Sequence, residues 1–100
     1  MSKSHTILIC DDDTVLRDTL SEQLALHPEF AVLTEGTAEA AIERVANERI
    51  DLLVMDLGLP GIDGREGVAT MRRNGFRGPV IMLTAQDSEE DTVATLEAGA

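Results

Sequence analysis

Residues 52–61 read LLVMDLGLPG. Four consecutive apolar residues have the length and composition of a strand buried on both faces, as strands of a parallel sheet are. The run then breaks at Gly58, Pro60 and Gly61, residue types that punctuate a turn. Asp56 therefore stands where a buried strand ends, and a carboxylate at the edge of a core is costly unless something compensates it. What lies beside Asp56 decides how the stretch is read.

Outward from this stretch, short apolar runs alternate with amphipathic ones. TILIC (6–10) and VIML (80–83), the latter introduced by Gly78 and Pro79, match LLVM as central parallel strands, and the less apolar FAVLTE (30–35) suits an edge. Between them Val15, Leu16, Thr19, Leu20 and Leu24 recur at helical spacing, closed by His27 and Pro28. Ala41, Ile42, Val45 and Ala46 do the same after Thr37, an N-cap candidate followed by Glu39 and Glu43. A third helix is expected from about Arg65 to Arg73 with Val68 and Met71 inward. A fourth is expected after Asp87 or Ser88, where Glu89, Glu90 and Asp91 suit the positive end of a helix dipole and Val93 and Leu96 face inward. Strand then helix, four times over, implies a doubly wound α/β sheet with right-handed crossovers.

In that architecture ligands bind outside the carboxyl ends of the strands. TILIC is followed by Asp11, Asp12 and Asp13, LLVM by Asp56, and VIML by Thr84 and Ala85. Neighbouring parallel strands place these carboxylates and one hydroxyl on a single rim. Carboxylates so close repel one another and call for a cation. All-oxygen ligation by a few carboxylates suits Mg²⁺ better than a full Ca²⁺ cage, and Gly58 leaves a backbone carbonyl free to turn toward the ion. Plainer readings stand beside this one. Asp13 reads as a helix N-cap, and Asp51, Asp63 and the helical carboxylates as solvated surface. Asp56 in a plain turn, or Thr84 as an ordinary strand-end threonine, are the competing readings at those two positions. Neither His5 nor His27 has metal-ligand spacing.

Composition sets outer bounds. One hundred residues, 43% of them apolar, make about one domain with one core. No apolar run approaches the roughly 18 residues needed to span a bilayer, and MSKSHTILIC does not read as a secretion signal. A cytoplasmic location is therefore expected. The single cysteine, Cys10, forms no internal disulfide and reads as a buried thiol. Nineteen acidic against eight basic residues give a net charge of −11. Such a surface repels DNA and anionic membranes, so neither is an expected partner of this segment.

ILICDDD, DLLVMDLGLPGIDG, VIMLTA and LEAGA, in this order and spacing, resemble the receiver domain of bacterial two-component response regulators over nearly the whole chain. The resemblance implies a flavodoxin-like fold with strand order 2-1-3-4-5. It implies that Asp56 accepts a phosphoryl group from a sensor histidine kinase or a histidine phosphotransfer protein. Asp12, Asp56 and the carbonyl of Gly58 would hold Mg²⁺, Asp11 would act through water, and Thr84 would be the switch hydroxyl. The output would be a regulatory signal, with control of transcription one form of it, rather than an enzyme's turnover.

The family's pattern continues beyond such an LEAGA with Lys-Pro, a fifth strand and a fifth helix. Residues 1–100 are accordingly expected to be a receiver domain lacking its carboxyl-terminal part, with no fifth strand. The fourth strand would then be an open edge, which exchange of elements with a second copy could cover as a homodimer. Two other functions compete. One is a degenerate receiver acting only as a protein-binding module. The other is a small phosphohydrolase with an Asp nucleophile, disfavoured because Gly58 stands where such enzymes carry a second acid.

Overall fold

The computed structural model describes residues 5–59, 61–85 and 92–97. Strands β1 (His5–Cys10), β2 (Phe30–Glu35), β3 (Leu52–Asp56) and β4 (Val80–Ala85) alternate with helices α1 (Thr14–Ala25), α2 (Ala38–Asn47) and α3 (Gly64–Arg73), and a last strand β5 spans Thr92–Glu97. All lie in one sheet of order β2-β1-β3-β4-β5. The first four strands run parallel, with Ile9 opposite Thr34 and Val54, and Asp56 opposite Leu83. The chain steps from β1 outward to β2, then back across β1 to β3, so the order reverses between β1 and β3.

Strand periodicity divides the core. Leu8, Cys10, Leu53, Met55 and Val80 point to one face and pack with Ala38, Ala41, Val68 and Met71 of α2 and α3. Ile7, Ile9, Val54 and Leu83 point to the other, where Leu20 and Leu24 of α1 cover them. Residues one apart in a strand face opposite ways, so a run with no polar position needs helices on both faces. Each fully buried Leu, Ile or Met contributes about 1.5–3 kcal/mol, so these runs specify the layered arrangement. Within α1, Val15 is 74% exposed and takes no part in this packing, although its spacing matches the inward positions.

The helix starts are held by side chains. Thr37 caps α2, its hydroxyl accepting the Ala40 N–H at 3.2 Å, as expected. Asp63 is exposed, as expected, but it also caps α3 by accepting the Glu66 N–H at 2.9 Å. Asp63 with Glu66 three residues on has capping-box spacing, the signal the sequence reading passed over. Asp51 is likewise engaged, accepting the Thr6 N–H at 2.7 Å across the entry to β1 and β3. That hydrogen bond pulls its carboxyl below the usual carboxylate range.

The segment expected as a fourth helix is where the structure departs. Thr92–Glu97 is strand β5, antiparallel to β4, from Val80 opposite Glu97 to Ala85 opposite Thr92. The open side of β4 offers a row of unpaired N–H and C=O groups. In TVATLE three of six residues are β-branched, which favours pairing over helix. Only residues 86–91 connect the two strands, enough for a hairpin but short of a parallel crossover. The sheet therefore gains an antiparallel strand from the segment expected as a helix, which is not the parallel fifth strand of the family's pattern, and β4 is not the open edge expected of it.

Candidate functional site

The chain places its acidic residues where the strand order reverses, at the carboxyl ends of β1 and β3. Asp11 follows β1 directly, its N–H still donating to the Glu35 carbonyl at 3.1 Å, and is only 2% exposed. Its Oδ1 accepts the Asp13 N–H at 2.9 Å. Asp13 in turn caps α1, its Oδ1 accepting from Val15 and Leu16 at 3.0 and 3.1 Å. With its neighbours turned to these tasks, Asp12 projects outward and is exposed. The three aspartates thus divide into a buried one, a free one and a cap.

Asp56 ends β3, half-buried, and its Oδ1 accepts the Gly58 N–H at 3.0 Å. Carboxylate oxygens of Asp11, Asp12 and Asp56 lie within 4.8 Å of one another. Among the described residues this is the only group of three or more His, Cys, Asp or Glu side chains gathered so closely. Burial, and then the charges of Asp56, Asp12 and Asp13, push the Asp11 carboxyl up to about 6, although the Asp13 N–H pulls the other way. Three crowded carboxylates, one deprived of water, are a set that could hold a cation. All donors are oxygen and few are protein groups, which fits a hard ion that keeps several waters, as Mg²⁺ does.

Of the remaining residues singled out from the sequence, Gly58 sits beside Asp56 through its N–H. A Cβ there would meet Asp56 Oδ1 at an ordinary 3.8 Å, so space does not require a glycine. Thr84 lies in β4 one position beyond Leu83, the partner of Asp56, and its side chain falls outside the described residues. Cys10 is buried, as expected, its thiol donating to the Thr37 carbonyl at 3.2 Å. Burial first, and then Glu35, Asp11 and Asp56, push it up to about 12, which rules out a thiolate nucleophile.

Two supporting residues escaped the sequence reading. A Cβ on Gly64 would collide with the Asp56 carbonyl oxygen and come within 2.9 Å of Leu57 Cα, so only glycine lets α3 begin against the Asp56 backbone. Arg17 of α1 donates from Nη1 to the Asp11 carbonyl at 3.2 Å. Neither has a local signature, because each acts on a residue brought near by the fold.

A doubly wound α/β sheet whose order reverses beneath a carboxylate rim defines the class of the fold and the place of its site, and no glycine-rich phosphate loop follows β1. The family model of the response regulator receiver domain matches residues 7–100. Response regulator MprA of Mycobacterium ulcerans is 38% identical over 97 residues, which is 97% of this chain and 41% of that protein. MprA of Mycobacterium bovis is 37% identical over the same share of the chain. Among solved structures, response regulator TrrA of Thermotoga maritima, in complex with Mg²⁺ and BeF, superposes with a TM-score of 0.76 at 29% identity, covering 83% of this chain and 71% of that one. A CheY-like receiver domain protein of Methanospirillum hungatei gives 0.74 at 29% identity, covering 86% and 68%. The chain belongs to the response regulator receiver domains of two-component systems. It spans about two-fifths of the length of the curated relatives it matches. No helix among the described residues is long and apolar enough to cross a membrane.

Proposed function

We propose that residues 1–100 act as one receiver unit, a phosphorylation-activated switch that takes a phosphoryl group on Asp56 from a sensor histidine kinase or histidine phosphotransfer protein in the cytoplasm. The observation that carries this reading is the division of labour on the rim. Asp56 is half-open and tethered by one N–H, while Asp11 is buried and Asp12 projects beside both. An Asp56 carboxylate oxygen attacks phosphorus in line with the leaving imidazole nitrogen. The P–N bond breaks, its electron pair remains on the imidazole, and an acyl phosphate forms on Asp56. Asp12, Asp56 and the Gly58 carbonyl would hold Mg²⁺ directly in this reading, with Asp11 acting through water, and the ion when bound would supply positive charge between an anionic donor and an anionic acceptor.

Thr84 is the switch hydroxyl in this reading, as the family resemblance implies. Its hydroxyl donates to the new phosphoryl oxygens and draws its loop inward, so the unit regulates by changing shape rather than by turnover. Acetyl phosphate with Mg²⁺ should label the full-length protein once. Asp56→Asn should abolish the label, and chelation should do the same in the unaltered protein. A label that survives in Asp56→Asn would move the acceptor elsewhere.

A further inference from the structure

Arg17 is turned inward, into a slot bounded by the end of β1, the first turns of α1 and the loop after β2. Its Nη1 donates to the Asp11 carbonyl at 3.2 Å, and a Cβ added to Gly36 would sit 3.1 Å from the same nitrogen. Its Nε is buried with no hydrogen-bond partner among the described residues. A surface arginine kept only for solubility would leave that nitrogen in water, where it costs nothing. Here the half-buried side chain accepts a desolvated Nε in placing Nη1 on a backbone carbonyl. That contact falls on the peptide group joining Asp11 to Asp12.

A peptide unit is planar, so the direction of the Asp11 carbonyl sets where Cα of Asp12, and hence its carboxylate, leaves the chain. The Asp11 N–H is already held by the Glu35 carbonyl and its side chain by the Asp13 N–H. The carbonyl is the remaining freedom, and Arg17 removes it. We infer that Arg17 is a positioning residue for the carboxylate rim, clamping the Asp11–Asp12 peptide to α1 from a slot that Gly36 leaves open. This rests on the proposed reading of the rim as a Mg²⁺-dependent phosphoacceptor site.

Positioning and electrostatics give opposite signs, which makes the inference testable. Removing a positive charge from beside three carboxylates would, by charge alone, tighten Mg²⁺ binding. Releasing the peptide they hang from weakens it. Titration of the full-length protein with Mg²⁺ alone, followed calorimetrically, should show binding weaker by about tenfold in Arg17→Met, the size typical of losing a group that orients a metal ligand. Arg17→Lys should fall between the two. Gly36→Ala should weaken binding by crowding the guanidinium, yet add nothing in the Arg17→Met background, because the two changes share one cause. Unchanged or tighter binding in Arg17→Met overturns the inference. Should that variant not fold, Gly36→Ala decides alone, and unchanged affinity there is equally fatal. An unaltered protein that neither binds Mg²⁺ nor takes label at Asp56 brings down the site reading itself. One that does both beside an indifferent Arg17→Met brings down only Arg17.

Discussion

At Asp11 burial and the neighbouring carboxylates both oppose ionisation. Its carboxyl is pushed up to about 6, against about 4 in an unfolded chain. Between those values the folded state holds the extra proton, so this group's contribution to metal-free stability is fully present below about pH 4 and is lost as pH rises through 6. Asp11→Asn keeps the acceptor for the Asp13 N–H and removes the charge. Without metal it should be more stable than the unaltered protein by about 1 kcal/mol at pH 7.5, a figure reduced for partial screening, and no more stable at pH 4. Urea unfolding in chelator at the two pH values measures this, and equal gains at both would show that burial is not the cause. The neighbouring aspartates separate by task. Asp13→Ala should lose about 0.5–2 kcal/mol of stability with little change in Mg²⁺ affinity, whereas Asp12→Ala should do the reverse. Matched losses in the two variants would show that cap and ligand are not distinct.

The element that governs Asp56 is the amino-terminal end of α3. Gly64 brings that end against the Asp56 and Leu57 backbone, and Gly67 brings the next turn within 3.1 Å of the Ala38 side chain of α2, as measured from an added Cβ. Backbone cannot move aside as a flexible side chain can, so Gly64→Ala must push α3 off the end of β3. The expected cost is about 1–3 kcal/mol of stability, the usual size for overpacking, together with slower labelling of Asp56. Thermal unfolding and acetyl phosphate labelling of the same sample test both parts. A variant of normal stability and normal labelling would show that α3 does not set the acceptor's position.

For the molecule as a whole, the proposed function makes receiving the phosphoryl group and responding to it separable. The carboxylates belong to the ends of β1 and β3, while Thr84 belongs to β4, so loss of the hydroxyl leaves the acceptor chemistry in place. Thr84→Ala should be phosphorylated normally at Asp56. Losing one charge-assisted hydrogen bond removes about 1.5–3 kcal/mol of bias toward the phosphorylated conformation, roughly a ten- to hundredfold fall in its population. Phosphorylation level and affinity for the downstream partner, measured together, check this. A full phosphorylation-dependent gain in affinity without the hydroxyl would mean that the signal leaves Asp56 by another route.

Four apolar runs, their helical intervals and the acidic residues at their ends were all readable in the sequence, because burial on both faces and position at a strand end are properties of contiguous residues. The sequence by itself therefore determined that the first four strands run parallel, the capping roles of Asp13 and Thr37, the buried thiol of Cys10 and the shared rim of Asp11, Asp12 and Asp56. Tertiary structure alone decided the rest. Thr92–Glu97 carries both an acidic helix-start signal before it and β-branched residues within it, and the unpaired edge of β4, which no local pattern displays, tips it to strand. Gly64 matters because α3 lands on Asp56, and Arg17 because α1 lies beside the end of β1 and the loop after β2. Such contacts join residues far apart in the chain or on different elements, and their energy exists only once the sheet has brought them together.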